Sequence, residues 1–217
     1  MTGLVGPQRA ADGDEATVRV GSSGEIIVQD LNGRYAEQAQ RGNVFIYSTP
    51  AAGIALIVAA MTGGHPTLWN PAGSGYNWIP LCLYLGYVSG NNAPGSLSLH
   101  NTANAGSAIG TAAPVVTFTD VAPVNALLGS PKATKMRWAP AVNTYAAVPS
   151  HLMSTGVSLF TGVAATAVAP FTLVVPFDGA LIVGPGNALS LCSIQATTTA
   201  LFVVSWLGIE VPIPNYA

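Results

Sequence analysis

The chain has 217 residues, of which 50% are hydrophobic and only 7% charged, with a formal net charge of −2. Ordinary soluble domains carry about 25% charged residues, so the composition excludes a solitary, strongly hydrated globule. The slight acidic balance also excludes a nucleic-acid surface, which needs clustered Lys and Arg.

The length suits one large β-sandwich or barrel, or a core domain with an arm, and the charge distribution favours the second. Ten charged residues (Arg9, Asp12, Asp14, Glu15, Arg19, Glu25, Asp30, Arg34, Glu37 and Arg41) lie in the first 41 positions; only Asp120, Lys132, Lys135, Arg137, Asp178 and Glu210 follow. A core with six charges either stays soluble through Ser, Thr, Asn and backbone groups or hides much of its surface in an assembly. We expect the assembly. Lys132, Lys135 and Arg137 read as a solvated loop.

Residues 1–24 lack hydrophobic periodicity and mix charge with Gly and Ser, the pattern of an arm that orders against a neighbour, with Thr17–Val20 a possible added strand. Met1–Val20 lacks a secretory signal pattern, so an intracellular product is expected. Residues 25–43 come next as a strand plus a short helix. Glu25–Gln29 reads as extended, and Asp30 or Asn32 can cap a helix over Asn32–Arg41 that Gly42 closes. Leu31, Tyr35 and Ala39 recur at four-residue spacing on one side. A helix this short does not hold alone in water, which makes Leu31, Tyr35 and Arg41 candidates for docking the arm and helix.

Over 44–217 the period becomes that of strands. Val44–Ser48, Ile54–Met61, a short run from Thr67, Asn77–Ser89, Ser96–Asn101, Val115–Asp120 and Thr134–Trp138 are strand candidates, separated by Gly, Pro and Asn turns. Residues 102–114 read as a long loop and Pro123–Gly129 as an irregular connection. Within Asn77–Ser89, alternation sets Ile79, Leu81, Leu83, Leu85 and Tyr87 against Trp78, Cys82, Tyr84 and Val88. Further β-runs fall near Val142–Val148, Gly156–Thr161 and Phe171–Val175. Trp138 to Phe177 contains no charge, but Pro140, Pro149, Gly156, Gly162, Pro170 and Pro176 interrupt it. No window of about 20 residues is continuously apolar and helix-compatible, so no membrane span or membrane partner is expected.

The chain closes on a meander of Ala180–Val183, Ala188–Ile194 and Ala200–Val211. In its last run Leu201, Val203, Ser205, Leu207 and Ile209 share one face, and Phe202, Val204, Trp206, Gly208 and Glu210 the other. A strand apolar on both faces is covered on both, at the centre of a sandwich or at a subunit contact. Phe202 and Trp206 are the candidate residues for that sheet or subunit contact. Roughly ten strands at the 8–12-residue spacing of sandwiches predict an all-β, jelly-roll-like sandwich with an N-terminal arm and one short helix.

Chemistry-bearing constellations are sparse. His65, His100 and His151 form no HxH or HExxH pattern, and Asp120, Asp178 and Glu210 are the only acids of the core, where glycoside hydrolysis needs a facing pair. Asp178 reads as a surface turn. No GxSxG, P-loop or dinucleotide fingerprint occurs. Cys82 and Cys192 lie in apolar strands without CxxC spacing and read as packed free thiols. No enzyme, cofactor or metal is expected. Trp69, Tyr76, Trp78, Tyr84, Tyr87 and Trp138 could form a sugar platform, although aromatic residues at strand alternation more often fill a core or interface.

The segment Val28-Gln29-Asp30-Leu31-Asn32-Gly33-Arg34-Tyr35, followed by Ala39 and Arg41-Gly42-Asn43-Val44-Phe45, resembles the QDLHGKYYEAxxRGN opening of small structural proteins of tailed bacteriophages, departing from it at Asn32. Trp69-Asn70-Pro71, Leu85-Gly86-Tyr87-Val88-Ser89-Gly90, the run from Asn125 to Pro131, the run from Asp178 to Gly186 and the run from Trp206 to Pro212 are similar to further pieces of that group, in order. The resemblance covers most of residues 28–213. It implies a jelly-roll virion protein of the decoration, cement or fibre-base kind, commonly a homotrimer. Its partners would be copies of itself and the major capsid protein or other virion proteins, in a particle assembled in the host bacterial cytoplasm. The alternative expectation is a receptor- or glycan-binding tail module with exposed aromatic residues in loops such as Pro71–Trp78.

Overall fold

A computed structural model describes residues 34–58, 64–90, 95–103, 119–141, 145, 148–159, 172–194 and 200–213. The chain forms two compact units, Met1–Glu37 and Gln38–Ala217. Of the first, residues 34–37 are described, with the Arg34 guanidinium 5.4 Å from the centre of the Tyr35 ring.

The elements are α1 (Ala36–Gln40), β1 (Val44–Ser48), β2 (Ile54–Ala55), β3 (Thr67–Trp69), β4 (Tyr76–Ser89), β5 (Gly95–Ala103), β6 (Val124–Asn125), β7 (Arg137–Ala139), β8 (Ser150–Leu159), β9 (Thr172–Pro176), β10 (Asn187–Ser193) and β11 (Leu201–Pro212). Among the described residues strand makes up 53% and helix 4%, which fixes the class as all-β. Two antiparallel sheets pack as a sandwich. One runs β6-β1-β11-β4-β9, with β2 also on β11; the other runs β7-β3-β10-β5-β8.

The helix is shorter than its periodicity suggests. It spans five residues, none of them buried. Gly42 ends it as expected: at φ 68° it takes the left-handed conformation that frees its N–H to reach Ala39 O at 3.0 Å, while Asn43 N reaches Gln38 O at 2.9 Å. Leu31 and the expected cap residues lie outside the described residues.

The core fills the space between the sheets. Phe45, Tyr47, Leu83, Leu85, Phe202, Val204 and Trp206 come from one sheet; Leu68, Leu97, Leu99, Trp138, Leu189 and Leu191 come from the other. Each of these side chains, buried almost completely, adds about 1.5–3 kcal/mol of apolar transfer. Expected alternation on β11 holds: Phe202, Val204 and Trp206 are buried, whereas Leu201, Val203, Ser205 and Leu207 are half-buried.

On β4 the alternation fails. Strict parity puts Trp78 with Cys82 and Tyr84, yet Trp78 lies in the core with Leu83 and Leu85. The pairing with β11 shifts register between Leu207 and Gly208, where Gly208 faces Pro80. Proline has no N–H to give the ladder, so the strand bulges there and its facing reverses. Gly208 then accommodates Trp78, because a Cβ at that position would stand 2.5 Å from the indole Cζ2.

Other expectations shift as well. Of Ile54–Met61, residues 59–61 lie outside the described residues and the described part contributes β2 and an isolated bridge at Val58; Ala180–Val183 contributes a bridge from Val183 to Trp78. Pro123–Gly129 contains the short strand β6. Thr134–Trp138 becomes β7, three residues starting at Arg137. β8 begins at Ser150, six residues before the run expected from Gly156. Much of 102–118 and of 142–147 lies outside the described residues.

Candidate interaction surface

The few groups capable of chemistry are built into the fold. Glu210 on β11 is buried, and its carboxylate accepts hydrogen bonds from Tyr47 OH at 3.1 Å, from Lys135 N at 3.0 Å, from Met136 N at 3.4 Å and from Thr134 Oγ1. It clamps the 134–136 segment to the central strand. Burial, then the neighbouring Glu210 charge, holds the Tyr47 hydroxyl well above its usual range. Asp120 is ion-paired with Arg137 at 2.6 Å, and the Arg137 guanidinium also covers the Trp69 ring at 4.8 Å. Arg137 thus belongs to β7, not to a solvated loop; Lys132 and Lys135 are exposed. Asp178 occupies a surface turn with φ 49°, as expected.

His100 on β5 and His151 on β8 face each other across the ladder with ring centres 5.3 Å apart. His65 lies instead beside Cys192, whose Sγ is 3.3 Å from His65 Nδ1. Both are fully buried, and burial pushes the Cys192 thiol up to about 12. A thiol that stays protonated is neither a nucleophile nor a ready metal ligand. Among the described residues no group of three or more His, Cys, Asp or Glu is placed to hold a metal ion. No described helix is long and apolar enough to cross a membrane.

The residues singled out for interaction separate. Leu31 lies outside the described residues, Tyr35 is half-buried and Arg41 is exposed. Phe202 and Trp206 are both fully buried in the chain's own core, where Trp206 packs edge-on against Trp78 at 5.8 Å and stacks with Phe177 at 5.8 Å. Both side chains lie in the hydrophobic core. Trp69, Trp78 and Trp138 are likewise buried, leaving Tyr84 as the exposed member of the proposed sugar platform and Tyr76 and Tyr87 half-buried.

What sequence alternation alone did not isolate is a difference between the two outer faces of the sandwich. On the five-stranded sheet the outward side chains of β3, β10 and the middle of β5 are covered by the chain itself, whereas β8 is exposed from Ser150 to Ser154. Thr67, Tyr145 and Ser190 join their hydroxyls in a buried cluster, Tyr145 packs with Trp69 and Ala188, and His100 Nδ1 meets Pro149 O at 3.3 Å.

The six-stranded sheet is different. Pairing aligns Val124, Ile46, Leu207, Cys82 and Pro176 in one outward row, Ser48, Ser205, Tyr84 and Val174 in the next, and Val203, Gly86 and Thr172 in a third. These rows contain no ionisable carboxylate, amine or guanidinium. Tyr84 is 42% exposed, Val174 49% and Val124 53%, with Ile46, Leu207, Cys82 and Val203 half-buried. Its central polar pair is already satisfied, Ser48 Oγ to Ser205 Oγ at 2.7 Å. Of the odd-numbered residues of β11, expected to be covered, Ile209 is buried, while Leu201, Val203, Ser205 and Leu207 are half-buried on the outer surface of a four-strand patch with β6 at its margin. Comparison with protein-family models, with curated proteins and with solved structures finds no match for this chain.

Proposed function

We propose that this chain is a non-enzymatic structural protein of a phage virion, a homo-oligomeric jelly-roll protein that decorates the capsid and cements contacts between major capsid subunits. The observation that carries the reading is the uncharged apolar outer face of the six-stranded sheet, on a sandwich whose core is already complete without it. Contiguous apolar surface of that kind on a folded domain marks a contact with another macromolecule. The order of motifs resembling phage structural proteins supports the choice of partner. The nested pairings β1 with β11, β3 with β10, β4 with β9 and β5 with β8 support a jelly-roll path.

Such a protein works through area and valency. Several copies held together present several arms, and each arm adds a weak contact whose effect multiplies with the others. The ten charges in the first 41 residues give that segment the polarity that the sandwich face lacks. The resemblance favours three copies per oligomer. The test is particle stability. Particles lacking the protein should release their genome at a lower temperature, and purified protein added back should restore the wild-type release temperature. Equal release temperatures with and without it would refute the cement role.

A further inference from the structure

We propose that His100 and His151 form an acid-operated latch on β8: uncharged, the pair holds the start of this edge strand against β5, and protonation releases it. Such a latch stands apart from the particle reading above, and either holds without the other.

The strand is lightly held. Among the described residues β8 lies at the end of the five-stranded sheet, paired to β5 alone. Its ladder slips register twice, between Ser96 and Ser98 and between Leu99 and His100, and its residues from Ser150 to Ser154 are exposed. A strand that buries so little apolar surface opens at low cost. The side-chain tie between its first residues and the buried sheet is the His100 imidazole. This ring is buried, with Nδ1 3.3 Å from Pro149 O and Nε2 2.7 Å from Ser98 Oγ. A carbonyl oxygen only accepts, so Nδ1 carries the proton and Nε2 accepts from the Ser98 hydroxyl. The neutral ring therefore makes both bonds. A second proton, on Nε2, forces the fully buried Ser98 hydroxyl to give up its donor role.

No neighbour balances the resulting charge. From β8, the His151 ring stands 5.3 Å from that of His100, so a proton on either ring opposes a proton on the other. From β10, Ser190 pairs with His100 and Cys192 with Ser98. Tyr145, bonded to Ser190, and His65, beside Cys192, are the other titratable groups described on that side. Burial pushes the Cys192 thiol up to about 12 and Tyr145 higher still, so neither supplies an anion in the acid range. The nearest carboxylate on this sheet, Asp120, is paired with Arg137 of β7, three strand spacings from β5 or about 14 Å.

Burial, opposed by the Pro149 carbonyl and reinforced by His151, holds His100 below the ordinary histidine value of 6.5. With β8 lifted, the ring meets water and regains that value. Between the two values the open strand binds a proton that the closed strand does not. Closure is thus at full strength above about pH 6.5 and weakens as pH falls below it.

The test is hydrogen–deuterium exchange on the full chain, with protection factors corrected for intrinsic rates and compared from about pH 7.5 to about pH 5. In wild type, protection over 150–154 should fall below about pH 6.5 by up to about tenfold per pH unit. It should recover on return to neutral pH and leave β10 and β11 unchanged. His100→Gln keeps a donor and an acceptor but does not titrate, and should abolish the response; His151→Gln, at an exposed position, should weaken it. Protection that is flat with pH in wild type, or a loss shared equally by β10 and β11, overturns the latch. So does a response that persists in folded His100→Gln or is unchanged in His151→Gln. Should His100→Gln fail to fold, the wild-type imidazole proton resonances decide: His100 should titrate below about 6.5 in step with the loss of protection, and titration at or above that value overturns the proposal.

Discussion

Gly208→Ala adds a single methyl group at the point where β11 crosses beneath Trp78. The new Cβ would stand 2.5 Å from Cζ2 of the indole and closer still to Cε2 and Nε1, about 1 Å inside ordinary carbon contact distance. The ring cannot swing away. Trp78 is fully buried, with Tyr47 edge-on at 5.7 Å and Trp206 edge-on at 5.8 Å. Relief must therefore come from β11 moving, which loosens its ladder with β4, or from an off-rotamer indole. Overpacking of this kind costs about 1–3 kcal/mol, and the closeness of three ring atoms puts the expectation at the upper end. For a chain of this size that lowers Tm by about 5–10 °C. Differential scanning calorimetry of wild type, Gly208→Ala, Trp78→Phe and the double variant separates the clash from the loss of packing. The smaller ring makes room for the methyl group, so the double variant should be more stable than the sum of the single effects by at least about 1 kcal/mol. A Gly208→Ala protein that melts within about 1 °C of wild type would refute the seat assigned to Trp78.

Three further outcomes follow from the same interior. Glu210→Ala strands the amide of Lys135, which donates to both carboxylate oxygens, while Tyr47 OH and Met136 N keep Thr134 Oγ1 at 2.9 Å each; it should cost about 1–3 kcal/mol in urea unfolding, with faster amide exchange confined to 134–136. Trp206→Ala removes a fully buried indole and should cost about 3–5 kcal/mol; unchanged stability would contradict its place in the core. Stability should also fall with rising pH in the alkaline range. The Cys192 thiol stays protonated to about 12 in the folded chain because it is buried, whereas once unfolded it ionises from ~8.5. Between those values the unfolded state has released a proton that the folded state keeps, so stability falls by at most about 1.4 kcal/mol per pH unit. Urea midpoints from about pH 8 to pH 10 should show that decline in wild type and a shallower one in Cys192→Ala.

Much of the architecture is legible in the residues themselves. Val44–Ser48, a short apolar β-type run that ends before Pro50, becomes β1 over the same residues, and Ala200–Val211 differs from β11 by one residue at each end. Legibility fails where local backbone chemistry overrides alternation. Pro80 cannot donate to the ladder, and one bulge beside it moves Trp78 from the outside to the core. β8 opens with Ser150, His151, Leu152, Met153 and Ser154, all exposed, and a strand with neither face buried has no period to read. The candidate surface was hidden for a related reason. Apolar residues on both faces of β11 say that both faces prefer cover, but only three-dimensional pairing shows that Tyr145 and Pro149 cover β3, β10 and His100 on the five-stranded sheet while the outer rows of the six-stranded sheet are half-buried or exposed.

The resembling motifs also acquire a physical meaning. Asn70 donates to Tyr76 O and Val183 O at 2.8 Å each. Asn125 donates to Gly42 O at 2.9 Å and accepts from Leu127 N at 2.8 Å. Glu210 clamps the 134–136 segment. These side chains satisfy buried backbone groups where strands meet loops, so a sequence that keeps them keeps a fold. Function must come from the surface that the fold leaves uncovered.

The proposed place of this chain in a particle is tested most directly by its copy number in particles purified from a culture that produces it, by quantitative mass spectrometry against the major capsid protein. The account predicts a fixed ratio to the capsid protein that survives gradient purification, with a copy number per particle that is a multiple of the number of chains in the solution oligomer. Absence of the chain from purified particles, with all of it recovered in the soluble fraction of the lysate, would contradict it.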